Sequence, residues 1–320
     1  MLSGYTTLHK LGEGHTAKVF AATKDDDGTP CVIKHFHTRF DYYASTEFRF
    51  YDRLNQGDES HPGKKHVIRA FLCEKEYIVM ERYDGDLLSL LDEQDEGFSE
   101  PFCQDLARQM LLGLAYTHSC GIIHTDIKLE NILYRKVDDT YHFVITDFGV
   151  AEFTEDEHDP NSMIQTRQYR CFETLMHQPI HLASDLPSVF AVVYEMATNT
   201  FLFNYRNSHD HAMAIIKSVG LKNVYSSMKM DDVLPVSLEK RIHELEHHEP
   251  ELTSPFQSVW DDAFVSLGIV LLHPLPHCRG TAMDALHHPW IMATIQPHEV
   301  DVAEPVYEET STVLFQVVKV

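Results

Sequence analysis

His124-Thr125-Asp126-Ile127-Lys128-Leu129-Glu130-Asn131 places several side chains of chemical use in a fixed order. Asp126 can accept a proton, Lys128 can neutralise a phosphate, and Asn131 can hold a metal ion. The stretch is framed on its N-terminal side by Gly121, which closes a helical pattern, and by the apolar pair Ile122-Ile123.

Working outward, residues 5–11, 18–23 and 31–36 read as strands, with Asp25-Asp26-Asp27-Gly28-Thr29-Pro30 as the turn between the second and third. Between the first two lies Gly12-Glu13-Gly14-His15-Thr16-Ala17-Lys18-Val19, a G-x-G-x-x-A-x-V. Glycines there let backbone N–H groups approach phosphates, although a plain hairpin turn would use the same residues. Lys34 ends the apolar run Cys31-Val32-Ile33 and calls for an anion. A helical segment over residues 42–54 offers Glu47, thirteen positions on; the ordinary alternative for Glu47 is a solvated helix face. Strands follow over residues 68–72 and 77–80. Glu81-Arg82-Tyr83-Asp84-Gly85-Asp86 then interrupts the apolar pattern as a linker. Helices are expected over residues 87–91 and 99–118. In the second, Ser99 serves as the cap, and Phe102, Leu106, Met110, Leu111 and Leu114 form a core-facing stripe.

The 320 residues, 43% of them apolar, suffice for one large domain or two modest ones. No run of about 18 apolar residues is present, and Met1-Leu2-Ser3-Gly4-Tyr5 lacks a secretory layout, so the expectation is a soluble intracellular protein. Six cysteines without C-x-x-C pairing argue against a zinc site or a disulfide framework. A formal charge of −23 disfavours nucleic acid and anionic membrane as partners and favours a cationic one, although solubility alone would also account for it. Most of the 22 histidines, including His243, His247 and His248, are expected to be solvated.

With Gly12, Lys34, Glu47, Asp126, Asn131 and Asp147-Phe148-Gly149 in that order, the chain resembles a eukaryotic protein kinase over about residues 5–292. The resemblance implies an α+β, bilobal fold. A small, mainly antiparallel β N-lobe with one key helix would cover residues 1–80, a hinge 81–86 and a larger helical C-lobe 87–292, followed by an acidic, β-rich tail over 293–320. It implies ATP and Mg²⁺ as cofactors. ATP would lie beneath Leu11, Gly12, Glu13, Gly14 and Val19, with adenine between Val19 and Val32 above and Leu133 below. Met80 would stand behind the base, backbone groups of Glu81 and Tyr83 at its edge, and Asp86 near the ribose. Lys34, held by Glu47, would fix the α- and β-phosphates, and Asn131 and Asp147 would hold Mg²⁺. Asp126 would orient the substrate hydroxyl and accept its proton, and Lys128 would stabilise the γ-phosphoryl group.

More narrowly, His124-Thr125-Asp126-Ile127-Lys128, Ile164-Gln165-Thr166-Arg167-Gln168-Tyr169-Arg170 and Asp210-His211-Ala212-Met213-Ala214-Ile215-Ile216 resemble the SR-protein kinases, which phosphorylate Arg/Ser-rich splicing factors. Thr125 stands where most kinases have Arg, and has no charge with which to pair a phosphate on the activation segment; Thr154 and Ser162 are the candidates for such a phosphate. Activity without activation-segment phosphorylation is therefore expected. Ala17, Leu129 and Cys171-Phe172-Glu173 depart from the usual pattern, and the large inter-lobe insertion of many SR-protein kinases is absent. Glu173 is retained and by resemblance pairs with Arg279, and Asp185 by resemblance bonds catalytic-loop backbone. A buried helix is expected from Asp185, and further helices over residues 209–219, 256–272 and 281–287. Asp231, Asp232, Glu239, Glu244 and Glu246 are candidate docking carboxylates for basic substrates. A monomer in the cytoplasm, with the nucleus as a further compartment, is expected, and the resemblance implies a role in splicing regulation. A CLK- or DYRK-like kinase with other substrates, or a pseudokinase scaffold, remains open at this point.

Overall fold

The computed structural model describes residues 2–159, 164–220, 224, 227, 256 and 258–293. Ser162, the five candidate docking carboxylates, His243, His247, His248 and nearly all of the tail lie outside them. The chain divides into two compact units. One takes in Met1–Asp95, Leu112–His158 and Ile164–Thr166; the other takes in Glu96–Leu111, Asp159–Met163 and Arg167–Val320.

The first unit is built on a five-stranded antiparallel sheet of β1 (Tyr5–Glu13), β2 (Ala17–Lys24), β3 (Pro30–Phe36), β4 (Ala70–Glu74) and β5 (Tyr77–Glu81), in the order β1-β2-β3-β5-β4. Its register sorts the side chains, because directly paired residues share a face. Val19 pairs with Lys34, Val32 with Met80, and Lys34 with Ile78, so these form one face. Cys31 pairs with Glu81 and Ile33 with Val79 on the other, where Leu2, Ala22, Phe71 and Leu72 complete an apolar cluster.

Helix α1 (Asp41–Gln56) buries Ala44, Glu47, Phe50, Tyr51 and Leu54 at helical spacing. Glu47 therefore sits in the middle of a core-facing stripe, where a carboxylate must have a partner. The same unit holds a second sheet that the motif-led sequence reading passed over. In it β6 (Gly85–Asp86) pairs with β8 (Ile132–Val137), and β8 with β9 (Thr140–Ile145). The β8–β9 hairpin turns at Asp138-Asp139, with Asp138 at φ 54°. A short pair, β7 (Ile122–Ile123) with β10 (Glu152–Phe153), completes the frame. Residues 124–131 are thus the loop from β7 to β8, and Thr146-Asp147 follow directly on β9.

In the second unit, the helix Leu186–Thr198, labelled α5 as the fifth helix after α1 (Asp41–Gln56), α2 (Leu87–Asp92), α3 (Glu100–Ser119) and α4 (Phe172–Leu175), is buried almost all round, as expected, and a 3-10 turn over Leu182–Asp185 leads into it. Helix Ser208–Val219 is capped by Asn207. The helix expected over residues 256–272 is shorter and runs Asp262–Leu271. Asp261 is extended and its carboxylate accepts the Phe264 amide, so the chain cannot turn helical before it. Gly268 of this helix packs so closely on Phe190 and Phe256 that an added Cβ would stand 2.6 Å from the Phe190 ring. The helix expected over 281–287 runs Ala282–Leu286, with Thr281 and Asp284 as a reciprocal cap.

Candidate active site

Lys34 Nζ donates to both oxygens of Glu47, at 2.9 and 2.7 Å, and to Asp147 Oδ1 at 2.8 Å. Burial alone would drive the Lys34 ammonium towards neutrality, but the two carboxylates outweigh it and hold its pKa above the ordinary value. The same ammonium keeps the Asp147 carboxyl below the usual range, against the effect of burial. Tyr51 donates to Glu47 Oε1 at 3.0 Å, one helical turn along α1. Phe148 is fully buried edge-on to Tyr51 and His124, with ring centroids 5.4 and 4.8 Å away, which fixes the residue after Asp147. At Gly149 an added Cβ would stand 3.2 Å from Glu47 Oε2, so the backbone passes close to the carboxylate.

The 124–131 loop converges on Asp126. Lys128 Nζ lies 2.6 Å from Oδ2, and Asn131 Nδ2 donates to the Asp126 carbonyl at 2.8 Å and to Oδ2 at 3.2 Å. His124 is buried; its Nδ1 accepts the Asp126 amide, which leaves Nε2 as the donor to the Thr146 carbonyl at 2.9 Å. The Thr146 amide donates to the Asn131 carbonyl at 3.0 Å and ties this loop to the one carrying Asp147. Thr125 is buried, and its hydroxyl donates to the Val150 carbonyl at 2.6 Å. One functional residue escaped the sequence reading. Thr166 donates to Asp126 Oδ1 through its amide at 3.0 Å and its hydroxyl at 2.7 Å, and accepts from Lys128 at 3.2 Å. It stands inside the quoted stretch Ile164 to Arg170, so the signal was in view, but forty positions separate it from Asp126. Thr125, Asp147 and Gln165 all take left-handed backbone, at φ 62°, 65° and 63°.

Of the remaining expected nucleotide residues, Val19, Val32 and Met80 share the Lys34 face of the sheet. Leu133 pairs with Asp86. Leu11 is exposed, and an added Cβ at Gly12 would meet nothing within 4 Å. The protein's own packing therefore does not demand glycine at Gly12; a ligand approaching the backbone would. Glu13 forms surface ion pairs with Lys10 and Lys18. Asp86 caps the helix Leu87–Asp92, with Oδ1 accepting the Ser89 amide at 2.8 Å. The Glu81 amide donates to the Arg69 carbonyl, and Tyr83 Oη donates to the Glu81 carboxylate. The donor set suits Mg²⁺: Asp147 offers an ionised carboxylate, and Asn131, with its Nδ2 committed to Asp126, offers an amide oxygen.

In the second unit, Arg279 makes two hydrogen bonds to Glu173, at 2.7 and 2.5 Å, with both side chains buried. Ser184 adds a third bond to Glu173, and the Ala183 and His273 carbonyls accept from Arg279. Burial would raise the Glu173 carboxyl, but Arg279 overrides this and holds it below the usual range. Asp185 is fully buried at the start of α5.

Residues 5–291 match the protein kinase domain, and the chain belongs to that family. The fold is the protein-kinase fold, with an antiparallel sheet in the N-lobe and a helical C-lobe, and the family uses ATP and Mg²⁺. The chain is 28% identical to mitogen-activated protein kinase HOG1 of Kluyveromyces lactis over 95% of its own length and 67% of that protein's. It is 25% identical to CTD kinase subunit alpha of Schizosaccharomyces pombe (92% of this chain, 49% of the relative). To cyclin-dependent kinase 12 of Caenorhabditis elegans it is 27% identical (92% and 42%). The chain thus spans between two fifths and two thirds of the length of these relatives. These relatives are of the CMGC group. A crystal structure of a kinase domain superposes with a TM-score of 0.70 at 18% identity, covering 90% of this chain and 95% of the other.

Proposed function

We propose that this protein is a serine/threonine kinase that transfers the γ-phosphate of ATP to a hydroxyl of protein substrates, with the hinge between its lobes at residues 81–86. The observation that carries the reading is the convergence of Lys128, Asn131 and Thr166 on the Asp126 carboxylate. In this reading Asp126 aligns the substrate hydroxyl and takes its proton as the oxygen–phosphorus bond forms and the bond to ADP breaks. Lys128 faces the transferring group, and Lys34, held by Glu47, grips the α- and β-phosphates. Asn131 and Asp147 would hold Mg²⁺, which neutralises charge on the phosphate oxygens when bound. Asp126→Asn and Lys34→Met should each abolish transfer of labelled phosphate to protein; full transfer by either variant would refute the assignment.

For the substrate class we propose basic, Arg/Ser-rich proteins such as splicing factors. Support comes from the formal charge of −23, which attracts a dense cation, and from the resemblance carried by Thr125 and the 164–170 stretch. We further propose a monomer acting in the cytoplasm or nucleus, active without phosphorylation of its activation segment. The test is a degenerate peptide array: Arg beside Ser supports the class, and no preference for Arg rejects it. In addition, KM for an Arg/Ser peptide should rise from low to physiological salt while KM for ATP holds steady.

A further inference from the structure

Two adjoining cavities of about 760 and 580 Å³ share Phe71, Glu81, Tyr83 and Arg135 and together make one depression. Lys64, Lys65, Arg69, Arg82 and Arg135 line it, against three carboxylates. In a chain with 26 basic and 49 acidic residues, this is a local reversal of sign. The three carboxylates are already engaged. Glu59 pairs with Lys64 at 2.7 Å, Glu81 accepts from Tyr83, and Asp84 accepts the Lys136 amide at 2.9 Å. Among the described residues, Lys65, Arg69, Arg82 and Arg135 form no salt bridge to a carboxylate. Two of them instead lie over aromatic rings, Arg69 over Phe71 at 5.5 Å and Arg135 over Tyr83 at 4.4 Å.

We propose that this depression is a docking groove for an acidic peptide segment of a partner protein. Separated cations along a groove match a string of carboxylates better than one small anion, and the Phe71 and Tyr83 walls offer contact for apolar side chains between them. The net charge of the chain repels every anion at longer range, so binding rests on the local cations; a nucleic acid, with a charge on every phosphate, is repelled more strongly than a short peptide with a few carboxylates. None of its five basic side chains is among the residues assigned to ATP or to the Asp126 centre, and the Glu81 side chain lies on the sheet face opposite Lys34 and Met80. The proposal therefore does not depend on the reading of the active site.

The test uses the full chain and a fluorescein-labelled Glu-rich peptide carrying two Phe residues, followed by anisotropy. Binding should be present at low salt, weaken at physiological salt, and drop at least tenfold, about 1.4 kcal/mol, in the Lys65→Glu, Arg69→Glu double variant. Turnover of a peptide substrate should be unchanged in that variant. A photo-crosslinker in the same peptide should label residues 61–71 or 135–142 of the wild-type chain, a readout that does not depend on how the variant folds. No binding at low salt, equal binding of a Lys-rich counterpart, binding of single-stranded RNA in place of the peptide, or labelling elsewhere would each overturn the proposal.

Discussion

The Thr166 hydroxyl donates to Asp126 Oδ1 at 2.7 Å while its amide reaches the same oxygen at 3.0 Å. One threonine thereby limits rotation of the carboxylate, and through its contact with Lys128 it also positions the ammonium. Removing the hydroxyl in Thr166→Ala should lower kcat about tenfold, about 1.4 kcal/mol in the barrier. KM for ATP should change little, and Thr166→Ser should recover most of the rate. Steady-state kinetics on the two variants check this; a loss that Ser does not restore would mean that the residue acts only through packing.

Thr125 is buried with its hydroxyl on the Val150 carbonyl, so it ties the catalytic loop to the segment after Gly149 without any phosphate. Phosphatase-treated protein, and the Thr154→Ala, Ser162→Ala double variant, should keep most of their rate. A loss beyond about tenfold in a phosphotransfer assay would exclude phosphate-independent activity. Thr125→Val keeps the shape and removes this hydrogen bond, at a cost of about 0.5–1.5 kcal/mol in stability, readable by urea denaturation.

The Glu173–Arg279 pair should be costly to break from one side and cheap to replace whole. Arg279→Leu should destabilise by about 3–5 kcal/mol, and Leu at both positions should recover part of that. The pair also sets an acid limit. Because Arg279 holds the Glu173 carboxyl below its unfolded value of about 4.3, its contribution is complete above that pH and lost as pH falls further. Urea midpoints between pH 6 and pH 3 should drop in the wild type and drop less in the double Leu variant.

Among the described residues, His66, His124, His211, His273 and His288 are buried and so depart from the solvated role expected for most histidines, and His211 and His288 give a second pH effect. Burial pushes His211 and His288 each down to about 4. The unfolded chain takes up their protons below about pH 6.5 while the folded chain does not, so stability is complete above that value and declines towards pH 4. For His211, whose ring centroid lies 4.9 Å from that of Phe203, the loss between pH 7 and pH 5 should be about 2 kcal/mol. His211→Phe should remove that share of the slope in urea midpoints; an unchanged slope would count against it.

Lys34 and Glu47 were legible in the sequence because each breaks an apolar pattern, one after the apolar run Cys31-Val32-Ile33 within a strand and the other on a helix stripe, and charges so placed must find each other. Their third partner, Asp147, is likewise the charge before a Phe-Gly pair at the end of a strand. Thr166 was not legible as a partner of Asp126, since no periodicity links it to residues forty positions away. Asp86 was read towards a ribose, while the nearer constraint is local, a helix start that needs an oxygen for its free amides. Likewise Asp261, and not Phe256 where the helix was expected to begin, sets the start of its helix. Local caps decided the readings at Asp86 and Asp261, and a tertiary contact decided the role of Thr166.

Thr125, Asp147 and Gln165 hold non-glycine residues in left-handed backbone, at a cost of about 1 kcal/mol or more apiece. Each adjoins or is a residue assigned to the chemistry. Glycine at Gln165 would relax the backbone there and also loosen the amide of Thr166 from the oxygen it fixes. Thermal endurance gained at these three positions would thus come at the expense of turnover, and a search for hardier variants should begin elsewhere in the chain.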